Sequence, residues 1–196
     1  MAEFIREAVI ATPNADGSAH LTPLGFRQRG ELVLLAPFHP SRTLENLRAR
    51  GRAVLNFTDD VQVFAGCLTG RREWPTVASE VLAVPRLAAA LAHWELEVLA
   101  VHEDAARPVF DCRIVAEGNH RPFTGFNRAQ AAVIEAAVLV SRLDWLDSAE
   151  VLAALRGLRV AIDKTAGERE RRAWQWLCAA VAAHPRHCED ARSLAP

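Results

Sequence analysis

The chain has 196 residues, 51% of them apolar and 24% charged, with ten prolines and ten glycines. That balance excludes a disordered, collagen-like or low-complexity chain and predicts a packed core in one enlarged domain or two small ones. The 23 basic and 24 acidic side chains leave a formal charge of −1, which argues against a protein that grips nucleic acid phosphates. No stretch reaches the roughly 20 apolar residues that cross a bilayer, and Glu3 and Glu7 stand where a signal peptide needs basic charge. The expectation is a cytoplasmic protein with no membrane or nucleic acid partner. Cys67, Cys112, Cys178 and Cys188 form no C-x-x-C pair and read as reduced thiols.

The first third reads as β-hairpins. An apolar run from Glu7 to Thr12 is broken by Pro13-Asn14-Ala15-Asp16-Gly17, where Asp-Gly suits a tight turn. Ser18 to Phe26 gives a second strand and, after a turn at Arg29-Gly30, Leu32 to Ala36 a third. Ser41 opens a helical segment through Arg50, with Gly51 as its stop. Strands are predicted at Arg52 to Thr58 and at Val61 to Leu68, then a long loop with a helical turn over residues 70 to 92. Trp94, Leu96, Val98 and Ala100 alternate with Glu95, Glu97 and Leu99 as a half-buried strand, with Phe110 to Ala116 as its antiparallel partner. About seven short strands at hairpin spacing predict a small antiparallel barrel.

After Pro122 the pattern turns helical. Phe126, Val133, Ile134, Ala137 and Val138 share one helical face. Asp147 with Glu150, and Thr165 with Glu168, have capping-box spacing for two further helices. These carry Val151, Leu152, Leu155 and Leu158, then Trp174, Leu177, Ala180 and Val181. The predicted class is α+β, with a barrel over 1–122 and a three-helix lobe over 123–196 packed on it.

No G-x-G-x-x-G, Walker loop or G-x-S-x-G elbow occurs, so nucleotide binding by those routes is not expected. What stands out is a strand running into a helix start at Pro37-Phe38-His39-Pro40-Ser41-Arg42-Thr43. Hydroxyls, a guanidinium and unpaired backbone N–H groups converge there, which suffices for an anion site. On composition alone the plainer reading, Ser41 as a cap beside a solvated Arg42, outweighs it. Arg128, Glu135 and Arg142 recur every seven residues and share a helix face, either a polar seam or a solvated surface. Asp59-Asp60 reads first as a turn after a strand, and His93 as structural. Cys178, His184, His187 and Cys188 are zinc-ligand types, but their spacing matches no usual zinc module, and no metal site is predicted.

Several runs in order carry a resemblance: Glu7-Ala-Val-Ile-Ala-Thr12, Asn14-x-Asp16-Gly17, His20-Leu-Thr-Pro-Leu-Gly25, Pro37-Phe38-x-x-Ser41-x-Thr43-x-x-Asn46-Leu47 and Asn56-Phe57-Thr58-Asp59-Asp60. With His93-Trp94-Glu95-Leu96-Glu97-Val98 and Phe126-Asn127-Arg128-Ala129 they cover most of the chain. The chain thereby resembles the family known as domain of unknown function 447, similar to the FMN-binding split barrels related to pyridoxamine-phosphate oxidase. The resemblance implies FMN in a groove between two barrels, hence a homodimer with the site at its interface. It implies phosphate contacts from Ser41, Arg42, Thr43 and Asn46, with Thr22, Pro23, Leu24 and Gly25 along the flavin ring. Asn56, Thr58 and Arg128 complete the candidate set. One departure is that split barrels commonly place a lysine at the phosphate turn, where Arg42 and Thr43 stand here.

The resulting expectation is a flavin-dependent oxidoreductase acting on an unknown small molecule, with no identifiable catalytic acid or base. The alternative is a non-catalytic flavin or deazaflavin binder or dimeric assembly protein, with a link to one-carbon (pterin) metabolism.

Overall fold

The computed structural model describes residues 4–187. Strands β1 (Arg6–Pro13), β2 (Ala19–Arg29), β3 (Leu32–Leu35) and β4 (Arg52–Phe57) form a closed antiparallel barrel with two later strands. These are β7 (Ala92–His102) and β8 (Val109–Asn119), and the order around the barrel is β1-β2-β3-β8-β7-β4. The β1–β2 hairpin closes at Gly17, whose φ of 84° lies in the left-handed region that favours glycine. Asp16 supports the turn by accepting from the Ser18 N–H at 2.9 Å.

Alternation along the strands fills the barrel with Ala8, Ile10, Phe26, Val33, Leu35, Leu55, Leu96, Phe110 and Cys112. Helix α1 (Arg42–Arg50) adds Leu44 and Leu47 to the same cluster, so its inner face packs with the barrel core. Each such large side chain contributes roughly 1.5–3 kcal/mol by leaving water. Gly51 ends α1 in the left-handed conformation, its N–H bonded to the Leu47 carbonyl. These barrel residues, residues 72–123 included, form one compact unit.

The second unit joins residues 60–71 to the chain from Thr124 onward. It holds α2 (Val61–Leu68), α3 (Arg128–Val140), α4 (Ser148–Thr165) and α5 (Glu168–Ala183). Its core runs through Val61, Ala65, Val133, Ala136, Val151, Leu155, Trp174, Leu177 and Val181.

Four sequence expectations are corrected. Residues 61–68 are a helix, not a strand, and the barrel therefore has six strands. The run is apolar on nearly every side, so periodicity could not separate a buried helix from a buried strand. Asp60 settles it by accepting from the Gln62 N–H at 3.1 Å as an N-cap. Residues 70–92 carry no helix but a two-stranded ladder, β5 (Thr76–Val77) with β6 (Arg86–Leu87). Phe126 is 99% exposed and precedes the α3 cap, Asn127, instead of joining the buried face. Thr165 is the last residue of α4, not the cap of α5; Gly167 takes that place, its N–H donating to Glu170 Oε2 at 3.0 Å.

Candidate functional site

Ser41 is extended, with φ −158° and ψ 151°, and its Oγ accepts from the Leu44 N–H at 3.2 Å. That bond uses an acceptor lone pair and leaves the hydroxyl proton available to a further partner. The first N–H groups of α1 have no partner within the helix and stand at the positive end of its dipole. Arg42 is exposed and pairs with Glu45 at 3.2 Å, while Thr43 is buried at 3% exposure.

Beside this helix start lies a cleft of about 430 Å³, lined by Asn14, Asp16, His20, Leu21, Arg42 and Arg72. Burial, together with the Arg72 and Arg42 charges, holds the His20 imidazole below its ordinary pKa. Two guanidinium groups therefore act on one half-buried ring at the mouth of a helix N-terminus. The carboxylate present, Asp16, is held low by accepting from the Ser18 hydroxyl and N–H. The donor set fits an anion such as a phosphate monoester.

Residues 19–21 of the cleft continue along β2 into Thr22, Pro23, Leu24 and Gly25, all half-buried. These four pair with Ile10, Val9, Ala8 and Glu7 of β1, whereas β3 pairs only with Phe26–Arg29. Between Ala19 and Gly25, β2 thus has a ladder on one side only among the described residues. A flat ring laid there would meet free backbone groups. At Gly25 a Cβ would stand 3.0 Å from Ile5 Cγ2 and 3.1 Å from Glu7 Oε1, so the close neighbours of this glycine belong to the same chain.

Asn46, Asn56 and Thr58 form hydrogen bonds within the chain. Asn46 gives both amide hydrogens away, to Thr12 Oγ1 and Asn14 Oδ1, each at 3.1 Å. Asn56 is fully buried; its Nδ2 donates to the Val9 and Val54 carbonyls and its Oδ1 accepts from the Leu87 N–H at 2.8 Å. Thr58 donates to the Ala89 carbonyl. Arg128 opens α3 in the second unit, and Arg128, Glu135 and Arg142 are all exposed.

Burial raises the Cys178 thiol to about 11 and Cys112 to about 12, which favours the thiol over the thiolate form. His184 pairs with Asp144, and His187 donates to the Leu143 carbonyl; Cys188 lies outside the described residues. Among the described residues no three His, Cys, Asp or Glu side chains gather to hold a metal.

Two features escaped the sequence. Arg72 is thirty residues from Arg42 in a stretch without period, so nothing local ties them together. Glu95 lies by alternation on the side of its strand opposite Trp94 and Leu96, which pack with the barrel core, yet it is fully buried with His93 because the backbone of residues 80–82 reaches it there. The signal available was His-x-Glu, two ionisable residues on one face of a strand.

No curated protein matches the chain. Among solved structures it is similar to an FMN-bound protein from Methanosarcina mazei, at 22% identity and TM-score 0.79, over 91% of this chain and 96% of that one. It also resembles the 2-nitrobenzoate 2-nitroreductase of Pseudomonas fluorescens (21% identity, TM-score 0.52), over 61% of this chain and 66% of that one. A third likeness is component B of nitrilotriacetate monooxygenase from Mycobacterium thermoresistibile (21%, TM-score 0.53), over 62% and 73%. The model of the N-terminal domain of DUF447, a protein of unknown function, matches residues 6–121, and the companion DUF447 model matches residues 127–179. Matched along both of its units, the chain belongs to the DUF447 family.

Proposed function

We propose that the protein binds FMN and acts as a flavin-dependent oxidoreductase on a small molecule. The observation that carries this reading is the cationic cleft at the start of α1, which runs directly into the open side of β2. The phosphate would take the helix N–H groups, the Ser41 hydroxyl, Thr43 and the Arg42 and Arg72 charges. The ring would lie along Thr22 to Gly25. The similar Methanosarcina protein is FMN-bound, and the two Pseudomonas and Mycobacterium likenesses are a nitroreductase and a monooxygenase component, which supports the same reading. When bound, FMN supplies hydride or electron transfer, and the chain supplies binding and orientation.

The functional unit in this reading is a homodimer with the flavin at its interface. A one-sided groove leaves a bound ring facing water, and Leu99 and Val101 on β7 are exposed apolar side chains available for burial. The test is the visible spectrum of the freshly purified protein, mass identification of any released chromophore, and mass in solution by light scattering. FMN in a particle of twice the chain mass, reducible by a nicotinamide donor, is the expected result. A released deazaflavin, or bound FMN inert toward every reduced nicotinamide, redirects the assignment to a binder.

A further inference from the structure

Three ionisable side chains of the barrel unit form a line from core to surface. Glu95 is fully buried, and its carboxylate accepts from three consecutive backbone N–H groups: Glu80 at 2.5 Å, Val81 at 3.1 Å and Leu82 at 2.5 Å. Such a nest holds a carboxylate ionised. His93, also fully buried, places Nε2 3.4 Å from Glu95 Oε1 and Nδ1 2.9 Å from His120 Nε2. The two imidazole planes lie within 11° with centroids 5.0 Å apart, so the rings meet edge to edge along the N···N line. His120 itself is exposed.

The chemistry fixes the protons. An acceptor-only carboxylate beside His93 Nε2 requires hydrogen there, and in the neutral imidazole Nδ1 is then an acceptor. His120 must then donate from Nε2, and its Nδ1 lone pair is left over at the exposed end. A catalytic triad runs from carboxylate to histidine to nucleophile, and here His120 stands in the outer place with its lone pair exposed. Glu80 and Arg86 are the other charges acting on His120. Burial and the Arg86 charge lower its pKa while Glu80 opposes them. At Gly118, a Cβ would stand 2.7 Å from His93 Cε1, so the glycine makes room for the relay.

We propose that His120 is an acid–base site for a small carbonyl compound, with His93 and Glu95 as its positioning residues. The site shares no residue with the α1 cleft and does not depend on flavin binding. The Arg86 charge beside it suits a substrate that carries a carbonyl or carboxylate oxygen.

The probe is diethyl pyrocarbonate, a carbonyl electrophile. His120 Nδ1 bonds to a carbonyl carbon, the anhydride C–O bond breaks, and the Nε2 proton is given up. The leaving ethyl carbonate takes that proton and decomposes to carbon dioxide and ethanol. Peptide mapping of the full-length protein reads the rate at each histidine. His120 should react roughly tenfold faster than exposed His39, and His93→Gln should bring it down to the His39 rate. Proton-detected nitrogen NMR of the unaltered chain gives a second reading that requires no variant. It should find hydrogen on Nε2 of both His93 and His120. A proton on His93 Nδ1, or a His120 rate equal to that of His39 in the unaltered protein, overturns the proposal.

Discussion

Asn46 of α1 and Thr12 of β1, 34 residues apart in sequence, are joined inside the protein by an Nδ2–H···Oγ1 hydrogen bond of 3.1 Å. The same amide nitrogen reaches Asn14 Oδ1 in the β1–β2 turn, also at 3.1 Å. One side chain thus ties the helix whose start borders the cleft to the hairpin that forms its other wall. Replacing it with alanine leaves the buried Thr12 oxygen without this donor and should cost about 1–3 kcal/mol. Urea unfolding should show a lowered midpoint with unchanged slope; an unchanged midpoint would mean that the tie contributes nothing.

Phosphate recognition at the α1 start separates FMN from riboflavin. A hydrogen bond to a charged group is worth about 1.5–3 kcal/mol, so Thr43→Ala should weaken FMN roughly ten- to a hundredfold. Arg72→Ala should act in the same direction. Riboflavin should bind the unaltered protein poorly and Thr43→Ala almost equally. Fluorescence titration of both ligands decides the point, and equal losses for both would place the phosphate elsewhere.

Acid stability should depend on Glu95. Burial raises its pKa, but the Leu82, Glu80 and Val81 N–H groups and His93 outweigh that and hold it below the usual glutamate value. A depressed folded-state pKa contributes stability that is present above the unfolded value of about 4.3. That contribution is lost as pH falls from there through the folded value. Glu95→Gln should lower the melting temperature at pH 7 and flatten its decline below pH 5. Parallel melting curves for the two proteins over that range would contradict this.

The cap of α2 is testable on its own. Asp60→Ala removes the acceptor for the Gln62 N–H and should cost about 0.5–2 kcal/mol. Asp59→Ala is the control, and thermal melts of the two variants should differ by the loss of one cap.

The sequence alone determined the elements whose signals are local. Asp16-Gly17 marks its own hairpin, Ser41 and Gly51 bracket α1, and Asp147 caps α4 through a side chain two residues from the N–H it bonds. Alternation likewise gave the β7–β8 pair, because one side of each strand must leave water. The proposed anion site rests on residues legible for the same reason, since Ser41, Arg42 and Thr43 are consecutive. Tertiary structure decided whatever depends on partners distant in the chain. Arg72 and His20 join Arg42 only when the barrel closes. Asn56, a polar residue that reads as a ligand contact, bonds buried carbonyls and an N–H group of β1, β4 and β6, and Asn46 bonds the side-chain oxygens of Thr12 and Asn14. Glu95 is buried against the polar–apolar rule because three N–H groups from residues 80–82 replace the water it loses. No window of sequence around Glu95 contains those donors, and so only the folded chain could reveal the line from Glu95 through His93 to His120.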